Sequence, residues 1–420
     1  MRQQGRGNVC HAVQRNLSAG DFRVKRSLLG KDFVFASLAY FFVFFSISAF
    51  YLFPLFLDRF HPSKSRVGLI MGIHSVTAIM IRPLFGRVLD KQGGRSGAIT
   101  GILLMIAVMP GFYLIQSAGL WAFLLRALNG IGWGIATTAI LAICSDLAPQ
   151  DRMAHFLGVI GAAGIVAQAV GPAAAEEIMR RYDFVAVFHL SLIMLVAAFL
   201  CVFVVKNPPF AKTRTRIQLK GIAAYPFLML LIIAAMPVAH GAARGAVLNF
   251  IALFGASLGF GRIGPFFVAF SVAAVITRLG IGDISDRYGR KRIILPAAFL
   301  IGLNLFWIAG ADSYWGFVMS GFVAGFGQGL IFPALSTYLI DFMGRGNKGL
   351  ALGLYLSLFD VGMGVGSPLF GWISDVAGYR RMYAVAGGLI LVLTAVFGMK
   401  APQIPIPGSP NQNHSREIIE

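Results

Sequence analysis

Charge is the scarcest property of this chain: 13% of its 420 residues are charged and 57% are hydrophobic. A soluble chain of this size carries about a quarter charged residues, so a soluble globular domain is excluded. Acidic residues are rarer still, 17 Asp and Glu against 36 Lys and Arg, which leaves a net charge of +19. That excess would suit nucleic acid, but the cations collect in short polar stretches between apolar runs. No basic helix interleaves with base-stacking aromatics, so no nucleic-acid partner is expected. Cysteine is nearly absent. Cys10, Cys144 and Cys201 lie far apart without a Cys-x-x-Cys pair, which removes a disulfide framework and a zinc site. No metal or other cofactor is expected. Residues 1–31 are polar and basic and lack a short apolar core followed by small residues, so they are not a secretory signal. No phosphate-cradling Gly-x-x-x-x-Gly-Lys-(Ser/Thr) and no nucleophile–base motif occurs, so an enzyme is not expected.

What the chain has instead is long apolar runs. A membrane helix needs roughly 20 apolar residues to cross the hydrocarbon layer. In lipid every backbone group must be paired internally, which favours helices. The runs divide into twelve spans, six within 32–205 and six within 223–399. A cytoplasmic tail (1–31), a basic linker (206–222, with Asn207-Pro208-Pro209) and a polar second tail (400–420) complete the layout. The fold class is therefore an all-α membrane protein of two six-helix bundles. An even number of spans puts both termini on one side. That side carries 24 Lys and Arg, the opposite loops carry 8, and four arginines lie within spans. The positive-inside bias therefore places both termini in the cytoplasm of a multi-pass inner-membrane protein.

A ten-residue signature occurs twice, 196 positions apart. It reads Gly86-Arg87-Val88-Leu89-Asp90-Lys91-Gln92-Gly93-Gly94-Arg95 and Gly282-Asp283-Ile284-Ser285-Asp286-Arg287-Tyr288-Gly289-Arg290-Lys291. The register holds further back, with Gly68 against Gly264, Ser75 against Ser271 and Arg82 against Arg278, and further on, with Pro172 against Pro368. Internal duplication in a chain this apolar is a mark of transporter folds.

Both signatures resemble the motif that the major facilitator superfamily of secondary transporters carries between helices 2 and 3, echoed between helices 8 and 9. The resemblance covers about residues 32–400. Arg126-Ala127-Leu128-Asn129-Gly130 is similar to that family's helix-4 motif, whose arginine is implicated in proton coupling. Gly68-Leu69-Ile70-Met71-Gly72 leading to Arg82-Pro83-Leu84-Phe85-Gly86 resembles sugar-efflux and metallophore-export relatives. Gly164 and Gly171-Pro172 resemble the antiporter motif of helix 5, although Ala167 and Ala175-Glu176 depart from it. The resemblance implies the major facilitator fold and export of a small molecule by alternating access, coupled to protons. A proton symporter that imports a sugar, amino acid or organic anion, and a lysolipid transporter or flippase, are the alternatives. Partners are a small-molecule substrate, protons and membrane lipids, and a monomer is expected.

Physically, the signature glycines Gly86, Gly93, Gly282 and Gly289 suit tight turns or close helix approach. Asp90 and Asp286 suit a helix N-terminus, which in the family belongs to the opposite half and so forms a gate. Lys91, Arg95, Arg287, Arg290 and Lys291 are expected to orient these loops and to anchor them at anionic head groups. Ionisable groups inside a membrane are costly and are functional candidates by default. Asp360, midway along span 11, is suited to reversible proton uptake or to a permanent ion pair. Arg126 and His240 are the other coupling candidates. Arg244 shares a helix face with His240 and either receives an anionic group or pairs with Asp360. Gln168 and Gln328 add hydrogen-bonding groups, and Tyr40, Phe45 and Tyr51 are candidates to line an aromatic cavity. Arg82 and Arg278 are expected to brace the gates, and Glu176 and Glu177 to be mostly solvated.

Overall fold

The computed structural model describes residues 30–148, 153–206, 226–281, 289–344 and 347–404, with the side chains of 86–92, 153–155, 157, 279–281 and 348–349 left out of the description. The N-terminal tail before residue 30, nearly all of the linker and the tail after residue 404 lie outside the described residues. So does most of the second signature.

Among the described residues all regular structure is helical. The first bundle contains α1 (Lys31–Asp58), α2 (Lys64–Gln92), α3 (Gly94–Phe112), α4 (Leu120–Leu147), α5 (Met153–Arg181) and α6 (Phe184–Val204). The second contains α7 (Phe227–Ser257), α8 (Gly264–Ile281), α9 (Arg290–Ala309) and α10 (Tyr314–Met343). A continuous stretch, Lys348–Lys400, follows and is broken at Gly378, whose φ of 83° is left-handed. We call its two parts α11 (348–377) and α12 (379–400). Among the described residues, ten stretches are long and apolar enough to cross a membrane. The shorter apolar helix Gly264–Arg278 and the break at Gly378 accord with the twelve expected spans.

Lipid-facing and core residues separate as the composition demands. Leu103, Leu200, Phe299 and Trp372 point outward, while the interior of the first bundle is a phenyl cluster. Phe50, Phe53, Phe112 and Phe188 stack there with centroids 5.0–6.2 Å apart. Much of the phenylalanine content is thus packing.

The repeat is visible in the backbone. Gly93 and Gly289 hold the same place in the two signatures, and both have left-handed φ, 87° and 94°, immediately before α3 and α9. A side chain there would be strained, which explains the glycines. One expectation is corrected. The first signature is not a loop, because α2 remains helical to Gln92 and the turn is Gly93 alone.

We call the end of the bundle that carries Lys64, Glu176, Gly264 and Asp375 the upper end, and the end that carries Gly93 and Gly289 the lower. The halves meet chiefly along two pairs, α2 with α11 and α5 with α8, with a smaller contact of α1 on α7. At the upper end they touch backbone to backbone. A Cβ on Gly68 would collide with the Ser367 carbonyl of α11. One on Gly264, its repeat partner, would stand 3.1 Å from the Ala173 Cα of α5. Small residues allow this approach. At the lower ends of α5 and α11, Gly158 and Gly353 have nothing within 4 Å of such a Cβ. Among the described residues, the backbone contacts between halves therefore lie at the upper end, and none is found at these two lower positions.

Candidate functional site

Two carboxylates from opposite halves close the upper end. Glu176 of α5 is 7% exposed. It accepts hydrogen bonds from the backbone N–H groups of Ile263 and, at 2.7 Å, Gly264, the first residues of α8. Asp375 of α11 accepts from the N–H groups of Lys64 (2.7 Å) and Ser65 (2.8 Å), and from the Ser65 hydroxyl, at the start of α2. The first N–H groups of a helix lack internal partners, and the helix dipole favours an anion there. The pair forms a latch with twofold logic, since α5 caps α8 and α11 caps α2. The expectation of a solvated Glu176 is thus corrected; only Glu177 is half-exposed, and it pairs with Arg181 at 2.6 Å.

Below the latch, Asp360 is 7% exposed and forms an ion pair with Arg82 of α2, so the pair joins the two halves. Arg82 also lies over the Trp133 ring, 5.2 Å from its centroid. At 1.5 Å per residue the pair lies about 25 Å below the upper ends of its helices. Asp360 does not pair with Arg244, and Arg82 is its partner rather than a simple brace.

Arg244 instead donates to the Gln168 side-chain oxygen of α5 and stacks on Phe270 of α8 at 4.7 Å. His240, 1% exposed, is held through Nδ1 by the Tyr355 hydroxyl at 3.2 Å and through Nε2 by Gln328 Oε1 at 2.6 Å. His240, Arg244, Asn304 and Gln328 line one cavity in the second bundle. Beside it, Gly241 and Gly362 let α7 and α11 cross backbone to backbone, Gly241 against Phe359 and Gly362 against Val238.

Arg126 is 3% exposed and lies over the Phe50 ring at 5.4 Å. Among the described residues its Nε and one terminal nitrogen have no hydrogen-bond partner, and neither polar atom of Asn129, one turn on, has one. Tyr51 lies within electrostatic range of both Arg126 and Arg244, and its ring meets Phe267 of the other half at 5.7 Å. Tyr40 stands against Gly164, 3.2 Å from the position of a Cβ there. Phe45 is buried between α1 and α5. Its ring meets Phe41 at 6.1 Å.

Three of the signature cations are described, and each reaches another helix of its own half. Arg95 donates to the Phe203 carbonyl at 2.6 Å, at the end of α6. Lys291, its repeat partner, donates to the Ala401 carbonyl at 2.7 Å, just past α12. Each therefore caps the last helix of its own half, where unpaired carbonyls favour a cation. Arg290 pairs with Asp341 of α10 at 3.1 Å. These three cations join helix ends. Gly282, Asp286 and Arg287, and the side chains of Asp90 and Lys91 beyond Gly86, lie outside the described residues.

Glu176, Asp375 and Tyr355 escaped the sequence reading as site residues. For Tyr355 the spacing gave no signal, since five residues from Asp360 is a different face of α11.

Comparison with known proteins places these features. The profile of the Major Facilitator Superfamily matches residues 36–306 and 238–418. The chain is similar to the staphylopine export protein of Staphylococcus aureus, 22% identical over 362 residues that cover 82% of this chain and 89% of that one. It is also similar to the multidrug resistance protein MdtG of Citrobacter koseri, 24% identical with 77% and 82% covered. Among solved structures it resembles that of a point mutant of the nucleoside transporter NupG (TM-score 0.76, 13% identity, 88% of this chain and 99% of that chain). A bacterial homologue of the lysosomal transporter Spinster is similar to it as well (TM-score 0.73, 12% identity, 88% and 96% covered).

Proposed function

The chain belongs to the Major Facilitator Superfamily, and on that premise we propose that it is a proton-coupled exporter of a small organic molecule, working by alternating access. The single observation that carries the reading is the Arg82–Asp360 ion pair, which joins the two halves at mid-depth beneath the closed latch. The positive-inside bias makes the upper end the external face, so the conformation is inward-open. Export requires the halves to part above and close below. The two latch carboxylates and the Arg82–Asp360 pair oppose that movement. An arriving substrate takes over Arg82 and so loosens α2 from α11 for the outward movement, and a proton that Asp360 takes up from the external side is carried back and given up below as the pair re-forms. Leaving one member of a buried pair charged and alone costs roughly 3–5 kcal/mol, so release of the pair must coincide with a proton, a substrate or both. The names of the similar proteins, an exporter and a multidrug resistance protein, support the outward direction.

The energetics suffice. One elementary charge moving through 100 mV supplies about 2.3 kcal/mol, close to fiftyfold accumulation. Arg126, His240 and Tyr51 surround the same path and are assigned to coupling and binding, and Asp90 and Asp286 to the lower gate. The test is uptake of a fluorescent drug panel into inside-out vesicles made with and without the protein. An acid interior should drive uptake and its collapse should stop it. Uptake that ignores the pH gradient, or that runs only in right-side-out vesicles, would contradict the reading.

A further inference from the structure

The repeat is broken at one place that matters. Arg82 and Arg278 are repeat partners, and Arg82 has Asp360. The position equivalent to Asp360 in the first half is Gly164, and the Tyr40 ring stands against it. Arg278 therefore meets no carboxylate where its twin has one. It lies over the Phe332 ring at 5.3 Å and reaches Gly161 of α5, one turn below Gly164.

Arg244 lies within electrostatic range of Arg278 on the same half. Its hydrogen-bond partner, Gln168, is neutral. Two guanidiniums thus share one region deep in the bundle, and among the described residues neither is paired with an acid. Tyr355 lies within range of both. Among the described residues, the guanidiniums of Arg82, Arg126, Arg244 and Arg278 stand in the spans against one mid-depth carboxylate, Asp360. Arg82 takes that carboxylate, and the other three are left uncompensated. Unpaired like charges at membrane depth are expensive and persist where they meet a partner of opposite sign. The aromatic ring under each guanidinium holds its plane and leaves N–H edges for a planar or tetrahedral acid group.

Building on the transporter reading above, we propose that Arg244 and Arg278 form the substrate's acid-binding site, and that the substrate is an organic dianion. Its two negative charges, carboxylate or phosphate, replace the carboxylate missing from position 164. Gln168, Tyr40 and Tyr355 supply neutral hydrogen bonds around it, and Phe270 and Phe332 form apolar walls. Binding draws α5 toward α7 and α8, so the substrate occupies the contact between halves that Asp360 makes on the other side of the pseudo-twofold axis.

The test is a fluorescence titration of the full-length protein in detergent micelles with three naphthalenes of similar bulk: naphthalene-2,6-dicarboxylate, 1-naphthyl phosphate and the neutral naphthalene-2,6-dicarboxamide. At least one dianion should bind tenfold or more tightly than the diamide, and the stronger of the two identifies the acid group. Arg244→Gln and Arg278→Gln should each weaken that binding roughly ten- to a hundredfold, the scale of a lost charged hydrogen bond. Arg244→Lys should retain part of it, which a purely structural arginine would not do. Equal binding of the diamide, undiminished binding by a folded Arg244→Gln/Arg278→Gln variant, or no binding of either dianion would overturn the proposal. Failure here is separable from failure of the exporter reading. Gradient-driven efflux of a cationic dye without dianion binding would remove this site and spare coupling. Dianion binding in a protein whose flux ignores pH would do the reverse.

Discussion

Replacing both latch carboxylates, Glu176→Gln together with Asp375→Asn, should shift the molecule toward opening at its upper end. Each carboxylate accepts two backbone N–H groups at a helix start. A hydrogen bond to a charged group contributes about 1.5–3 kcal/mol, and a neutral one about 1 kcal/mol. An amide of the same shape keeps an acceptor but loses the charge and its attraction to the helix dipole. The loss is then about 1.5 kcal/mol per latch. The two latches share no residue, so their effects should add to about 3 kcal/mol. At 1.4 kcal/mol per factor of ten, the equilibrium moves on the order of a hundredfold toward the state open above. The assay is pulsed electron–electron distance measurement between spin labels at Arg66 and Val376, both exposed near the latch, after replacement of Cys10, Cys144 and Cys201. The unaltered protein should give one short distance. The double variant should show a second, longer population, and each single variant a smaller one. A single short distance in a well-folded double variant would refute the latch.

Other expectations follow from the same geometry. Gly68→Val places a side chain against the Ser367 carbonyl, so it should bar upper closure and abolish transport while membrane level is kept, as read by the same labels and a flux assay. Gly93→Ala and Gly289→Ala force a side chain into left-handed φ, at about 1–2 kcal/mol each, and should lower the melting temperature in detergent equally in the two halves. Lys291→Ala should also lower it, by exposing the Ala401 carbonyl. At the upper surface, the Arg59 guanidinium, and with it the Phe184 N–H, holds the Asp183 carboxyl below its usual range. A depressed carboxyl stabilises the folded state above its unfolded pKa, and that contribution disappears as pH falls through the folded value. The melting difference between unaltered protein and Asp183→Asn should therefore be full at pH 7, begin to shrink as pH falls through about 4, and vanish only below the still lower pKa of the folded state.

The residues that were legible in the sequence are those the duplication marks twice. Gly93 and Gly289 both have positive φ, Arg95 and Lys291 each donate to a carbonyl at the end of their own half's last helix, and Gly68 and Gly264 each stand at a crossing between the halves. In each case the same backbone constraint acts on both halves, so it leaves the same residue type at a fixed offset. The latch was not legible. Glu176 and Asp375 bind backbone N–H groups, which any residue supplies, and so leave no trace in the partner sequence. Their offset also differs from 196, so the repeat hides them. The Arg82–Asp360 pair was half legible. Burial singled out both residues, but four intramembrane arginines competed for one acid, and only the packing of α2 on α11 decides between them.

Proton movement through Asp360 can be measured directly, as acidification or alkalinisation of proteoliposomes by substrate in the absence of any imposed gradient. The account predicts substrate-dependent proton flux for the unaltered protein. It predicts none for Asp360→Asn, although that variant still exchanges substrate across the bilayer at equilibrium. Proton flux of equal size in Asp360→Asn would contradict it.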